Sequence, residues 1–248
     1  MRAVLCTLCL LLTAPLLAAD NDTSEKIAAA VADESRPQAH RDRDRNRRPA
    51  RTLEFFGLRD DMRVMELLPG GGWYTRILAP VLRDNGKLYV ALGTSRVKDR
   101  LLGNPGFDKV SVAEVETEFD RSGPFRTNNL TAFEFGEKNL DMVLTFRNMH
   151  NFTAEARAII NKAVFNSLKS GGLYGVVDHT QRHMAPMTNE TRRRIDPVRV
   201  IKEALDSGFE LVDFSDLHHK PDDELIYEVG RKTVTGNTDR FTLLFRKP

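Results

Sequence analysis

Two groups of residues have the types and spacing to do chemistry. The first is Glu66 followed by Leu68, Pro69, Gly70, Gly71 and Gly72. With no Cβ in the way, backbone at these glycines turns sharply and comes close to a ligand. If a helix starts there, the N–H groups of its first turn have no intrahelical partner and favour polar or anionic ligand atoms. The second group is His150, His179 and Asp178. Imidazole changes charge near neutral pH, and a neighbouring carboxylate makes it a plausible base. Two histidines lack an obvious third ligand, so no metal is expected.

These residues need elements to hold them. Residues 63–68 are a short apolar run suited to a buried parallel strand, while Trp73, Ile77, Leu78 and Val81 recur at helical spacing. The glycines therefore sit between strand and helix, with Trp73 and Tyr74 packing under that helix. Further strands are expected at 87–92, 110–115, 140–146, 173–177, 209–214 and 241–245. Amphipathic helices are expected at 154–168, closed by the Lys169 to Gly172 turn, and at 197–207, ended by Gly208. Strands alternating with helices mean a parallel, doubly wound sheet. The polar stretch 216–239 between the last two strands suits an antiparallel hairpin at the sheet edge, and leaves His218 and His219 exposed in its loop. His150 follows the fourth strand and His179 the fifth, so both fall at the carboxyl edge, where ligands bind in such sheets.

The N-terminal part is organised differently. Residues 1–19 read as a secretory signal peptide, with one arginine, an apolar core too short to span a membrane, and Ala18 and Ala19 before Asp20. The expected product is an exported, periplasmic protein without stable membrane insertion. Both cysteines, Cys6 and Cys9, leave with the leader, which excludes disulfides, thiolate ligands and a cysteine nucleophile from the mature chain. The chain has 37 Lys and Arg against 35 Asp and Glu, a balance that argues for no nucleic-acid partner. Residues 20–57 form an N-terminal helical segment, with helices at 24–32 and 49–56, the second opened by Pro49 and stopped near Gly57. The Arg/Asp alternation from His40 is either a solvated, self-paired charge run or a set of cations folded over the site. At 248 residues, 41% of them hydrophobic, the chain is long enough to bury one large core, assigned to residues 58–248. Composition leaves the oligomeric state open.

The tracts RDRDRNRRPARTLEFFG, VMELLPGGGWYTRILAP, LDMVLTFRNMHNF and LKSGGLYGVVDH resemble class I S-adenosylmethionine-dependent methyltransferases, most closely the bacterial exported group. The resemblance covers residue 41 to the C-terminus. It implies a Rossmann-like seven-stranded sheet of order 3-2-1-4-5-7-6, S-adenosylmethionine as cofactor and a small-molecule acceptor. Glu66, Gly70 and Gly72 stand where the glycine motif's acid and two glycines belong, while Leu68 replaces the first glycine. The ribose-binding acid that ends the second strand falls at Leu92 or Gly93. Asn129 and Leu130 occupy the adenine-facing place, and Thr145, Arg147 and Asn148 the methionine side. Glu66, the glycines, Asn129 and residues 147–150 are expected around one pocket. The alternative is a small-ligand-binding protein that kept the fold and lost the cofactor grip at Leu68 and Leu92.

Overall fold

The computed structural model describes residues 15–248. Most of the leader, residues 1–14, therefore lies outside the described residues. The helices are α1 (Pro15–Ala32), α2 (Gln38–Arg41), α3 (Asp44–Arg47), α4 (Pro49–Phe55), α5 (Thr75–Leu82), α6 (Ser95–Val97), α7 (Ala154–Ser167) and α8 (Pro197–Asp206). The strands are β1 (Arg63–Leu67), β2 (Lys87–Ala91), β3 (Ser111–Ala113), β4 (Phe119–Asp120), β5 (Asn129–Leu130), β6 (Leu140–Phe146), β7 (Leu168–His179), β8 (Glu210–Ser215) and β9 (Arg240–Arg246).

Seven strands form one sheet in the order β3-β2-β1-β6-β7-β9-β8. All neighbours are parallel except β9, which runs antiparallel to both β7 and β8. Counted within this sheet alone, that is the expected 3-2-1-4-5-7-6 order. The short ladder β4–β5 lies apart from it and was not legible in the sequence.

Central strands read as continuous apolar runs because both faces are covered. One face packs Val64, Met142 and Leu144 against Ile27 of α1, Leu53 and Phe56 at the end of α4, and Ile77 and Leu78 of α5. The other packs Met65, Val143 and Val176 against Ile160 and Val164 of α7 and Val200 of α8. Pro49 takes the first turn of α4, where its missing N–H leaves no bond unmade, and Gly57 follows with φ +69°. Thr153 and Asp196 cap α7 and α8 by accepting the N–H of Ala156 and Val198.

The end of α7 departs from expectation. No glycine turn closes it; Leu168 already has strand geometry, and β7 runs through Lys169 to Gly172. Gly171 donates to the Lys247 carbonyl and the Gly172 carbonyl accepts from the Lys247 N–H, so both glycines pair with the C-terminus. A Cβ on Gly172 would stand 2.9 Å from the Lys169 carbonyl and 3.0 Å from a Leu168 methyl. Glycine is required there by close backbone approach.

Register sets the site. Leu67 lies beside Thr145, and Thr145 beside Val176, so β1, β6 and β7 reach their carboxyl ends together. Leu68 and Pro69, Arg147 and Asn148, and Asp178 and His179 consequently meet along one edge.

Candidate functional site

After β1 the chain turns through Leu68, Gly70 and Gly72, with φ of +52°, +58° and +80°. Leucine thus holds the left-handed conformation that a glycine would adopt freely. Its conformation is fixed from two sides: the Leu68 N–H donates to the Ala91 carbonyl, and Asn148 Nδ2 donates to the Leu67 carbonyl at 3.3 Å. Asn148 also reaches Thr145 Oγ1 at 3.1 Å, so fully buried Thr145 supports the turn from behind and lines no cavity. The three glycines differ in role. A Cβ on Gly72 would meet Leu101 Cδ2 at 2.4 Å, whereas Gly71 has only Arg96 Cδ at 3.8 Å and Gly70 has nothing within 4 Å. Gly72 is structural; Gly70 and Gly71 keep space open.

Beneath the turn, Glu66 is 3% exposed and accepts from Thr75 Oγ1 at 2.6 Å. Burial pushes its carboxyl up to about 7, against the Thr75 bond and the Arg47 charge. At the end of β2, Leu92 also has positive φ, and the Cβ position of Gly93 is 3.5 Å from Leu68 Cδ2. Leu92 and Gly93 thus bring no carboxylate to the end of β2, where the family pattern has one.

A cavity of about 410 Å³ opens over the turn, lined by Glu66, Leu68, Pro69, Gly70, Gly71, Arg147 and Asn148. The N-terminal segment adds His40, Arg43 and Arg47 to this lining. The Arg/Asp run is therefore divided. Arg36 pairs with Asp44 at 2.8 Å and is buried, while Arg43 and Arg47 face the cavity. Trp73 and Tyr74 belong to the same wall. Tyr74 stacks on Phe146 at 3.5 Å between ring centroids, and the Arg47 guanidinium lies 4.2 Å over the Trp73 ring.

Arg147, with φ +64°, lines this cavity and a second one of about 350 Å³. His150 and His179 line the second cavity, so the expected single pocket is two cavities joined along a shared arginine wall. The two imidazoles are neighbours, with centroids 6.0 Å apart. Asp178, fully buried, holds His150 twice, accepting from its backbone N–H at 3.0 Å and its Nδ1 at 2.6 Å. That fixes the proton on Nδ1 and leaves Nε2 as the basic nitrogen. Asp178 also accepts the His179 N–H at 2.7 Å. His179 Nδ1 lies 3.0 Å from Thr238 Oγ1, and burial, with Arg240 and His150 adding to it, holds this imidazole well below its ordinary pKa. Among the described residues no cluster of three metal-ligating side chains occurs.

Asn129 and Leu130 line neither cavity. They form β5; Asn129 Oδ1 accepts from Thr153 Oγ1 at 3.0 Å, and Leu130 packs into the core. His218 corrects another expectation. It is 2% exposed, with Nδ1 2.7 Å from Thr242 Oγ1 and Nε2 2.8 Å from the Arg47 carbonyl, and burial lowers its pKa to about 4. His219, beside it, is exposed as expected and pairs with Asp239. Arg193 and Arg240 line the second cavity and were not singled out from the sequence. The one signal for Arg240 is a cation opening the otherwise apolar run RFTLLF.

No family model matches the chain, and no curated protein matches it. Solved structures do. An SAM-dependent methyltransferase from Aquifex aeolicus aligns over 91% of this chain and 98% of its own, with TM-score 0.57 and 15% identity. The glycopeptide N-methyltransferase MtfA, complexed with sinefungin, aligns over 83% and 86%, with TM-score 0.53 and 14% identity. The 4+2 cyclase SpnF aligns over 92% and 93%, with TM-score 0.53 and 15% identity. The strand order, the antiparallel final hairpin and these likenesses together give this chain the Rossmann-like methyltransferase fold.

Proposed function

We propose that this chain is an S-adenosylmethionine-dependent methyltransferase acting on a small-molecule acceptor, exported to the periplasm after removal of residues 1–19. The observation that carries the reading is the open glycine cradle at Gly70 and Gly71, above buried Glu66, joined through Arg147 to a cavity lined by His150, which buried Asp178 holds from behind.

The residues of the first cavity fit such a cofactor. Backbone at Gly70 and Gly71 admits close approach, Glu66 and Asn148 offer polar partners, and Arg43, Arg47 or Arg147 can take its carboxylate. When bound, the cofactor supplies a methyl group on a sulfonium, transferable by in-line displacement. What remains for the protein is alignment and proton removal. Asp178 holds the His150 ring and its tautomer, so Nε2 is set to accept a proton from an acceptor hydroxyl or ammonium. His179, kept neutral by burial, shapes the cavity beside it.

A second reading, a binding protein or an enzyme of other chemistry on this fold, is favoured by Leu92 and Gly93 standing at the ribose position in place of a carboxylate. The SpnF likeness carries the same caution, since its name is that of a cyclase. Calorimetric titration with S-adenosylmethionine separates the two readings. Binding by the native chain and its loss in Gly71→Val, at unchanged fold, is the expected result. No binding by the native chain leaves the second reading standing.

A further inference from the structure

The second cavity has an unusual charge balance. Arg43, Arg47, Arg147, Arg193 and Arg240 line it, and no acidic residue does. The nearby carboxylates already have partners: Asp178 pairs with His150, Asp223 with Arg194, and Glu228 with Arg193, which leaves four of the five wall arginines. Among the described residues, Arg43, Arg47, Arg147 and Arg240 form no ion pair with a carboxylate. Two of these four are buried, Arg47 at 7% and Arg240 at 6% exposure, and Arg240 Nε has no hydrogen-bond partner. Arg240 is anchored only by donating to the Asn46 carbonyl at 2.8 Å, and Arg47 rests on the Trp73 ring.

Buried charge without a counter-ion is expensive. Burial and mutual repulsion lower the pKa of Arg47 to about 8 and of Arg240 to about 10, as expected for cations crowded without compensation. A folded protein that gathers four unpaired arginines, two of them buried, around a cavity of about 350 Å³ leaves the missing negative charge to a ligand.

We infer that the second cavity binds a multiply charged oxyanion, and that the acceptor carries this group as its handle. The class is a phosphate ester or a dicarboxylate, either of which matches the guanidinium forks. The identity of the handle rests on the methyltransferase reading only in calling its bearer an acceptor. With the oxyanion seated against Arg147 and Arg240, a heteroatom elsewhere on the molecule lies beside His150 and His179, which share the cavity wall.

The test is calorimetric titration of the full chain with inorganic phosphate and, separately, malonate, in a buffer free of other polyvalent anions. One of the two is expected to bind with one-to-one stoichiometry and to raise the unfolding temperature, and the stronger of the two names the handle. Arg240→Gln is expected to weaken that binding at least tenfold. Arg43→Gln is expected to do the same, and because Arg43 is exposed its fold is secure. Absence of binding by the native chain, or binding undiminished in both variants, overturns the inference. Loss of S-adenosylmethionine binding with anion binding intact would sink the methyltransferase reading and leave the anion site.

Discussion

Glu66 and His218 are buried titratable groups with opposite consequences for stability. Glu66 has its folded pKa raised to about 7 from an ordinary 4.5, so the folded state holds its proton more tightly than the unfolded one. Its contribution is complete below about 4.5 and is lost as pH rises towards 7, by about 3 kcal/mol in all. Glu66→Gln should abolish that loss, so the variant gains stability relative to the native chain between pH 5 and pH 8 in urea titrations. His218 behaves in reverse. Its folded pKa of about 4 lies below the ordinary 6.5, so its contribution is present above 6.5 and fades as pH falls towards 4. For His150, a general base is worth about 100- to 10,000-fold. His150→Ala should lose that much turnover on any acceptor that must surrender a proton, while His179→Ala should lose under tenfold. Equal losses at both positions, in rates measured across pH, would remove His150 from the base role.

At the scale of elements, the strand, the glycine turn and the helix after it were readable because periodicity changes from apolar run to helical spacing at Gly70 to Gly72. The differing duties of those glycines were not. Gly72→Ala should lower stability by about 1 to 3 kcal/mol through positive φ and contact with Leu101, leaving Gly71→Val the milder change for the fold despite its larger side chain. Thermal unfolding of the pair decides this. His218 escaped the sequence because its loop is polar around it, and only the fold brings it to the Arg47 carbonyl and Thr242. The same holds for Arg193 and Arg240, distant in sequence from every residue with a recognisable role. Asn129 illustrates the converse. Its place was inferred from a family pattern, and local pairing with Phe119 and Asp120 in β4 carries it away from both cavities.

For the whole molecule, the alternation of strands and helices was enough to give a parallel, doubly wound sheet, since parallel neighbours require crossovers, and the polar link between the last two strands allowed a hairpin at its edge; the strand order itself was implied by the family resemblance. The proposed export fits how the N-terminal segment is fastened. Thr23 Oγ1 donates to Asp60, Ile27 is buried, and Lys26 pairs with Asp60 at 2.5 Å, all beyond the expected cut after Ala19. Mass spectrometry of the native protein should find a chain starting near Asp20, as stable as the uncut chain. Among the described residues no helix is long and apolar enough to cross a membrane.

Arg43, Arg47 and Arg147 belong to both cavities, so whatever occupies one alters the electrostatic potential in the other. On the proposed reading, the sulfonium of the methyl donor, bound alone, meets a wall whose positive charge the donor's own carboxylate offsets only in part. An anion already seated on the far side of that wall cancels the repulsion, and the two ligands then favour each other by the same factor in either order of addition. Binding would be cooperative without any moving part. The sulfur also becomes neutral once its methyl group has left, which removes its repulsion by the wall and with it the advantage the anion gave. Such a protein would hold its donor loosely until an acceptor arrives. Titrating S-adenosylmethionine with and without saturating phosphate or malonate should show the tighter constant in the anion's presence, and the reverse titration the identical ratio.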